Sequence, residues 1–233
     1  MNDNATKPRK YFLGFFQRRQ CVVPTWQGWL VIACVVAGMM AITAREIHPF
    51  LAMNATSHDR DSGAALVVEG WLPDYALDEV VNEFRRSEYR KLYVTGGPME
   101  RGAFLSEFGT YADLGAEILI RKGLTAGVIQ AVPSTEAGKD RTYNSAVVLH
   151  AWLRRNGVLP QTLHVVSLGA HARRTRLLFE KAMGDGAIID ITAVRNIHYD
   201  PERWWMSSEG VRTVIDETLA YFYARLLFRP PSR

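Results

Sequence analysis

Past residue 62 the chain repeats one pattern five times: a short apolar run, a turn, then an amphipathic stretch of helical length. The runs are "AALVVEG" (64–70), "KLYVTGG" (91–97), "GVIQAV" (127–132), "LHVVSLG" (163–169) and "AIIDITAV" (187–194). Helix-length stretches lie near 74–87, 105–122, 142–155, 171–183 and 207–228. Strands separated by helices need right-handed crossovers, and these produce a mostly parallel sheet covered on both faces. The pattern predicts one α/β domain, Rossmann-like, with a mostly parallel five-stranded sheet and helices on both faces.

Ligands of such sheets lie where the loops leave the carboxyl ends of the strands. Here those loops read "EGWLPD", "TGGPME", "PSTEAGKDRTYNS", "SLGAHARR" and "RNIHYDPERWW". The first is not a G-x-G-x-x-G turn, which counts against ordinary dinucleotide binding.

Upstream, residues 22–44, "VVPTWQGWLVIACVVAGMMAITA", carry no charge. At about 1.5 Å per residue a helix of this length reaches across a hydrocarbon core of roughly 30 Å. Trp26 and Trp29 sit near its start, where indoles favour the interface, and basic residues precede it. One transmembrane helix is expected, with its amino terminus in the cytoplasm and the α/β domain outside. A cleaved signal peptide shares the basic start and the apolar middle. Against cleavage after Ala44, position 42 is Ile rather than a small residue. The expected organisation is a basic tail (1–21), the span (22–44), a polar stalk (45–62) and an exported domain (63–233).

Of the 28 basic residues, five (Lys7, Arg9, Lys10, Arg18, Arg19) precede Ala44, as does one of the 24 acids, Asp3. The formal excess of +4 therefore sits in the tail, and the exported part is neutral. A neutral domain lacks the basic surface that displaces counterions from a phosphate backbone, so no nucleic-acid partner is expected. The only cysteines, Cys21 and Cys34, precede the domain, which can form neither a disulfide nor a thiolate metal site; no metal is assigned.

The segment "SLGAHARRTRLLF" (167–179) sets a histidine and three arginines directly after an apolar strand, with no acid among them. If a helix begins near Ala170, then Thr175, Leu178, Phe179 and Ala182 form its core stripe. His171 then lies on the inner face above the sheet end, Arg174 flanks it, and Arg173 points to solvent. A helix amino terminus with these two side chains suits an anion, most simply a phosphate; a satisfied core histidine is the alternative. Gly96 and Gly97 end the second run and allow the backbone to come close to a ligand. In "DRTYNSA" (140–146), Asp140 or Thr142 can cap the following helix. Arg141, Thr142 and Asn144 are the candidate ligand-binding groups there. Glu69, at the end of the first run, is the candidate general base or metal ligand; the alternative is a carboxylate that caps a turn or pairs with an arginine such as Arg174 or Arg141. The last helix, too charged at Asp216 and Glu217 to span a bilayer, is expected to pack on the sheet.

In this order and at these distances, "VVEG", "YVTGGP", "DRTYNSA" and "VVSLGAHARRTRLLFEKAMG" resemble the ElyC/SanA/YdcF family, built on the domain of unknown function 218. The resemblance covers roughly residues 64–195. It places the family's Gly-Gly on Gly96 and Gly97, and its histidine and arginine on His171 and Arg174. Where many members have Asn-Thr-x-Glu-Asn-Ala, this chain has Arg141, Thr142, Tyr143, Asn144, Ser145 and Ala146, so the family glutamate has no counterpart. The resemblance implies a protein of the bacterial inner membrane with a periplasmic domain, serving envelope and peptidoglycan biogenesis. The expected partner is a phosphate-bearing envelope intermediate, a lipid-linked sugar or polyprenyl phosphate, with envelope-assembly proteins as further candidates. His171 and Glu69 are the catalytic candidates of a hydrolase or transferase. The alternative is a binding or scaffold module without chemistry, for an adenosylmethionine-like ligand for example. No cofactor is specified.

Overall fold

A computed structural model describes residues 10–11, 16–17, 24–55, 64–99, 106–135, 138–158 and 160–231. The chain divides into two compact units, Met1–Thr43 and Ala44–Arg233, and the boundary falls inside helix α1, Trp26–Leu51. In the first unit, Lys10–Tyr11 pairs antiparallel with Phe16–Gln17. In this unit the α1 residues are almost all apolar and exposed, and the helix has the length and composition to cross a membrane; a signal sequence would look the same.

In the second unit, strands β1 (Ala65–Glu69), β2 (Leu92–Gly96), β3 (Ile129–Pro133), β4 (Thr162–Leu168) and β5 (Ile188–Val194) form one sheet. Every pairing is parallel and the order is 3-2-1-4-5. The helices are α2 (Asp74–Arg86), α3 (Tyr111–Arg121), α4 (Arg141–Arg155), α5 (Ala172–Met183) and α6 (Ser208–Phe222). Alternate strand residues feed two cores, as period-2 geometry requires. Leu66, Val68, Leu92 and Val94 pack with Leu77 and Val80 of α2 and Leu119 of α3. Val67, Tyr93, Leu163 and Ile191 pack under Leu149 of α4 and Phe179 of α5. All five β1 residues are buried, which explains why that run is apolar on both faces.

Three boundaries differ from expectation. The helix expected over 105–122 starts at Tyr111, because Thr110 Oγ1 accepts from the Asp113 N–H at 3.2 Å and donates to its carboxylate at 2.6 Å, closing the first turn. The last helix ends as α at Phe222 and continues as one π-helical turn, Tyr223–Leu227. Residues 45–51, expected as stalk, instead form the last two turns of α1. The helix stops two residues after Pro49, which cannot extend it.

Those two turns are part of the domain's packing. Leu51 is fully buried with Ala170, Tyr199, Trp204 and Val214, and Ala44 and Ile47 pack against the same cluster. His48 Nε2 lies 3.1 Å from the Tyr199 hydroxyl, and the Trp204 indole N–H donates to the Ala44 carbonyl at 2.7 Å. Arg173, expected in solvent, donates to the Phe50 carbonyl and lies over the Phe50 ring, 3.8 Å from its centroid.

The order places β2 on one side of β1 and β4 on the other, so the chain reverses direction across the sheet between β1 and β4. A crevice opens outside the carboxyl ends of two such strands. Glu69 ends one of them and His171 follows the other.

Candidate functional site

A cleft of about 650 Å³ lies at this edge. Glu69, Gly96, Gly97, Arg141, Thr142, His171 and Arg174 all line it, so seven of the eight residues expected at a site converge from four segments. Asn144 does not. One turn into α4, its amide turns back and donates to the Lys139 carbonyl at 3.0 Å, and Ser145 borders the cleft instead. Neither expected cap of α4 is made: Asp140 takes the N-cap position at φ 53°, in the left-handed region, and its side chain accepts no capping bond. A non-glycine residue there carries backbone strain, and it sits on the cleft wall.

Gly96 has a different reason for being glycine from the expected one. A Cβ there would lie 2.8 Å from the backbone nitrogen of Ala112 and 2.8 Å from the Tyr111 Cβ. The first turn of α3 presses directly on the end of β2, and the small residue serves helix-on-strand contact. Gly115 makes the matching approach to Gly70, 2.8 Å from a would-be Cβ to the Gly70 Cα.

At the floor of the cleft four ionisable side chains meet. Glu69, 4% exposed, accepts from the Ser167 hydroxyl at 2.7 Å and from Thr175 at 3.3 Å. Its other oxygen faces His171 Nε2 at 3.6 Å. On the far side of the imidazole, Nδ1 lies 2.8 Å from Glu217 Oε1. Arg174 grips the same carboxylate twice, Nε to Oε2 at 2.8 Å and Nη2 to Oε1 at 3.0 Å. The guanidinium also lies 2.9 Å from His171 Nδ1, so Glu217 is the anion that lets two cations abut. Trp71, from the loop after β1, meets the imidazole edge-on with centroids 5.2 Å apart.

The acids that balance "SLGAHARR" are distant in sequence: Glu69 on β1 and Glu217 on α6. In the sequence Glu217 stands out only as a charge that keeps the last helix out of a bilayer. A signal was present, since it falls among Val214, Tyr221 and Ala224, spaced as an inward stripe, and an acid in such a stripe needs a partner.

Burial opposes charge on His171, but the Glu69 carboxylate, and Glu217 beyond it, outweigh both burial and the Arg174 guanidinium. The imidazole pKa rises from 6.5 to about 9. Burial likewise works against Glu217, yet His171 and Arg174 hold it down at about 2. Glu69, despite full burial, is kept below its usual 4.5 by His171 and by the Ser167 hydroxyl. At neutral pH the quartet is therefore two cations and two anions. His171 is an acid holding its proton, and its buried Nε2 makes no hydrogen bond. Glu69 is an ionised carboxylate beside it.

The rest of the cleft lining is of two kinds. Gly97, Arg141 and Thr142 gather polar groups at the amino terminus of α4, which carries the positive end of that helix. Leu178, Tyr223 and Phe228 add hydrocarbon to the same lining, and the Phe228 ring packs on Tyr143 of α4 with centroids 5.0 Å apart. The π-helical turn places Tyr223 here, and such wide turns recur at functional sites.

No protein-family model matches the chain, and no curated protein matches it.

Proposed function

We propose that the domain binds, and acts on, an amphiphilic phosphate ester of the cell envelope, a polyprenyl phosphate or lipid-linked sugar, while held at the membrane by α1. The observation that carries this reading is a single cleft lined by both polar and hydrocarbon side chains. A polar helix terminus with Arg141 and Thr142 suits an acidic head, and Leu178, Tyr223 and Phe228 suit the hydrocarbon next to it. Membership of the ElyC/SanA/YdcF family is part of the proposal and rests on the motifs quoted above.

The chemistry assigned to the quartet follows from its protonation. His171 carries a proton that it can give to a departing oxygen, and Glu69 is ionised and can accept one from an attacking water. Water oxygen bonds to phosphorus, the ester P–O bond breaks, and the two protons move to Glu69 and from His171. Neighbouring groups whose environments drive their pKa values apart are the usual basis of acid and base assignments. Affinity for the phosphate is assigned to Arg141, Thr142 and the α4 terminus, which line the cleft beside the quartet.

A second reading is favoured by one observation: the four ionised groups neutralise one another's charge, as they would in a binding module without chemistry. Thermal unfolding of the full-length protein in nanodiscs separates the two. The ligands are an isoprenoid monophosphate, the corresponding alcohol, inorganic phosphate and adenosylmethionine. Stabilisation by the isoprenoid phosphate, absent with the alcohol and reduced in Arg141→Ala, supports the proposal. A shift with adenosylmethionine alone selects the binding module, and the absence of any shift with the phosphates overturns the first reading.

A further inference from the structure

We propose that the turn Pro201–Met206 is a second membrane contact, seated in the headgroup layer of the bilayer that α1 crosses. The proposal rests on reading α1 as a retained anchor. The uncharged run 26–44 has 19 residues, about 28 Å of helix, which matches a hydrocarbon core of roughly 30 Å. Ala44 is its last residue, followed by the exposed Arg45 and Glu46, so Ala44 marks the hydrocarbon boundary.

The turn is tied to that residue. The Trp204 indole N–H donates to the Ala44 carbonyl at 2.7 Å, and the ring is buried beside Ile47 and Leu51. Trp205 follows at once, its ring centroid 5.9 Å from that of Trp204. Whatever direction the turn takes, Trp205 therefore stays within about 10 Å of the boundary, the depth over which amphipathic groups lodge at a bilayer surface.

The side chains fit that layer. Trp205 is 44% exposed and Met206 72% exposed, adjacent apolar groups left uncovered by the domain. An indole with a wet N–H edge is the group most enriched where acyl chains meet headgroups. Arg203, exposed on the same turn, can extend its guanidinium to lipid phosphates. The partner is thus a phospholipid surface, and the contact fixes how the domain stands on it.

The test uses full-length protein with Cys21→Ser and Cys34→Ser, reconstituted in nanodiscs of mixed zwitterionic and anionic phospholipid. A single cysteine carrying an environment-sensitive fluorophore is placed at Trp205→Cys, at Met206→Cys, at Met39→Cys inside α1, and at Arg90→Cys before β2. Quenching is measured with lipids spin-labelled near the headgroup and at mid-chain. The expected result is quenching of about twofold or more at 205 and 206 by the shallow label, strong quenching at 39 by the deep label, and none at 90. Quenching at 39 with 205 and 206 behaving like 90 overturns the second contact while leaving the anchor standing. No quenching at 39 overturns the anchor reading and the contact with it.

Discussion

Glu217→Gln isolates the central electrostatic argument. The amide keeps the shape of the carboxylate but removes the anion that sits 2.8 Å from both His171 Nδ1 and Arg174 Nε. Two buried cations then face each other with only Glu69, 3.6 Å from Nε2, to offset them. Removing one member of a buried ionic cluster typically costs about 3–5 kcal/mol. The pH dependence gives a sharper signature than the total. The rise of His171 from 6.5 to about 9 corresponds to about 3 kcal/mol at 1.36 kcal/mol per pKa unit. Because this pKa is raised on folding, that stability is complete below pH 6.5 and disappears as the pH climbs to 9. Glu217, lowered from 4.5 to about 2, behaves oppositely: its contribution is complete above pH 4.5 and is lost as the pH falls to 2. Wild type should therefore be most stable between these limits and weaken above pH 6.5. Glu217→Gln should be flat there, so the difference narrows by about 3 kcal/mol between pH 6.5 and 9. Urea unfolding of residues 44–233 across that range, with the His171 ring proton followed by NMR, reads both quantities. A variant within 1 kcal/mol of wild type, with a gap independent of pH, would refute the coupling.

Gly96→Ala should lower stability by about 1–3 kcal/mol, since its methyl meets the α3 backbone and not a flexible side chain; the urea midpoint measures this. Leu51→Ala should cost roughly 2–5 kcal/mol although residue 51 lies outside the α/β repeat, and thermal unfolding of residues 44–233 checks it. Arg141→Ala should weaken isoprenoid-phosphate binding about tenfold or more, the loss of one charge-assisted hydrogen bond, whereas Asn144→Ala should leave titration calorimetry unchanged.

The sheet was legible in the sequence because a doubly covered parallel strand writes itself as a continuous apolar run. All five runs fall on strands within two residues. The core stripe of α5 was equally readable, since Thr175, Leu178, Phe179 and Ala182 recur at helical spacing and are buried. Convergence of Glu69, Gly96, Arg141 and His171 followed from the rule that parallel strands deliver their loops to one edge. What stayed hidden was long-range choice of partner. Nothing near "AHARR" says that its counter-charge waits 43 residues past Arg174, and nothing in "TGG" says that Ala112 will occupy the space above Gly96. The α1 boundary differs from expectation because Arg45 and Glu46 end the uncharged run while the helix continues to Leu51. Charge marks where hydrocarbon stops, whereas tertiary packing decides where a helix stops.

That last distinction matters to anyone preparing a water-soluble version of this protein. A cut made after the polar residues near position 60, where the repeat pattern begins, would discard Leu51, His48 and the Ala44 carbonyl, leaving Trp204 and Tyr199 without their mates. A piece that keeps these contacts starts at residue 44, so solubilisation and integrity are reconciled by trimming the apolar helix rather than by removing it whole.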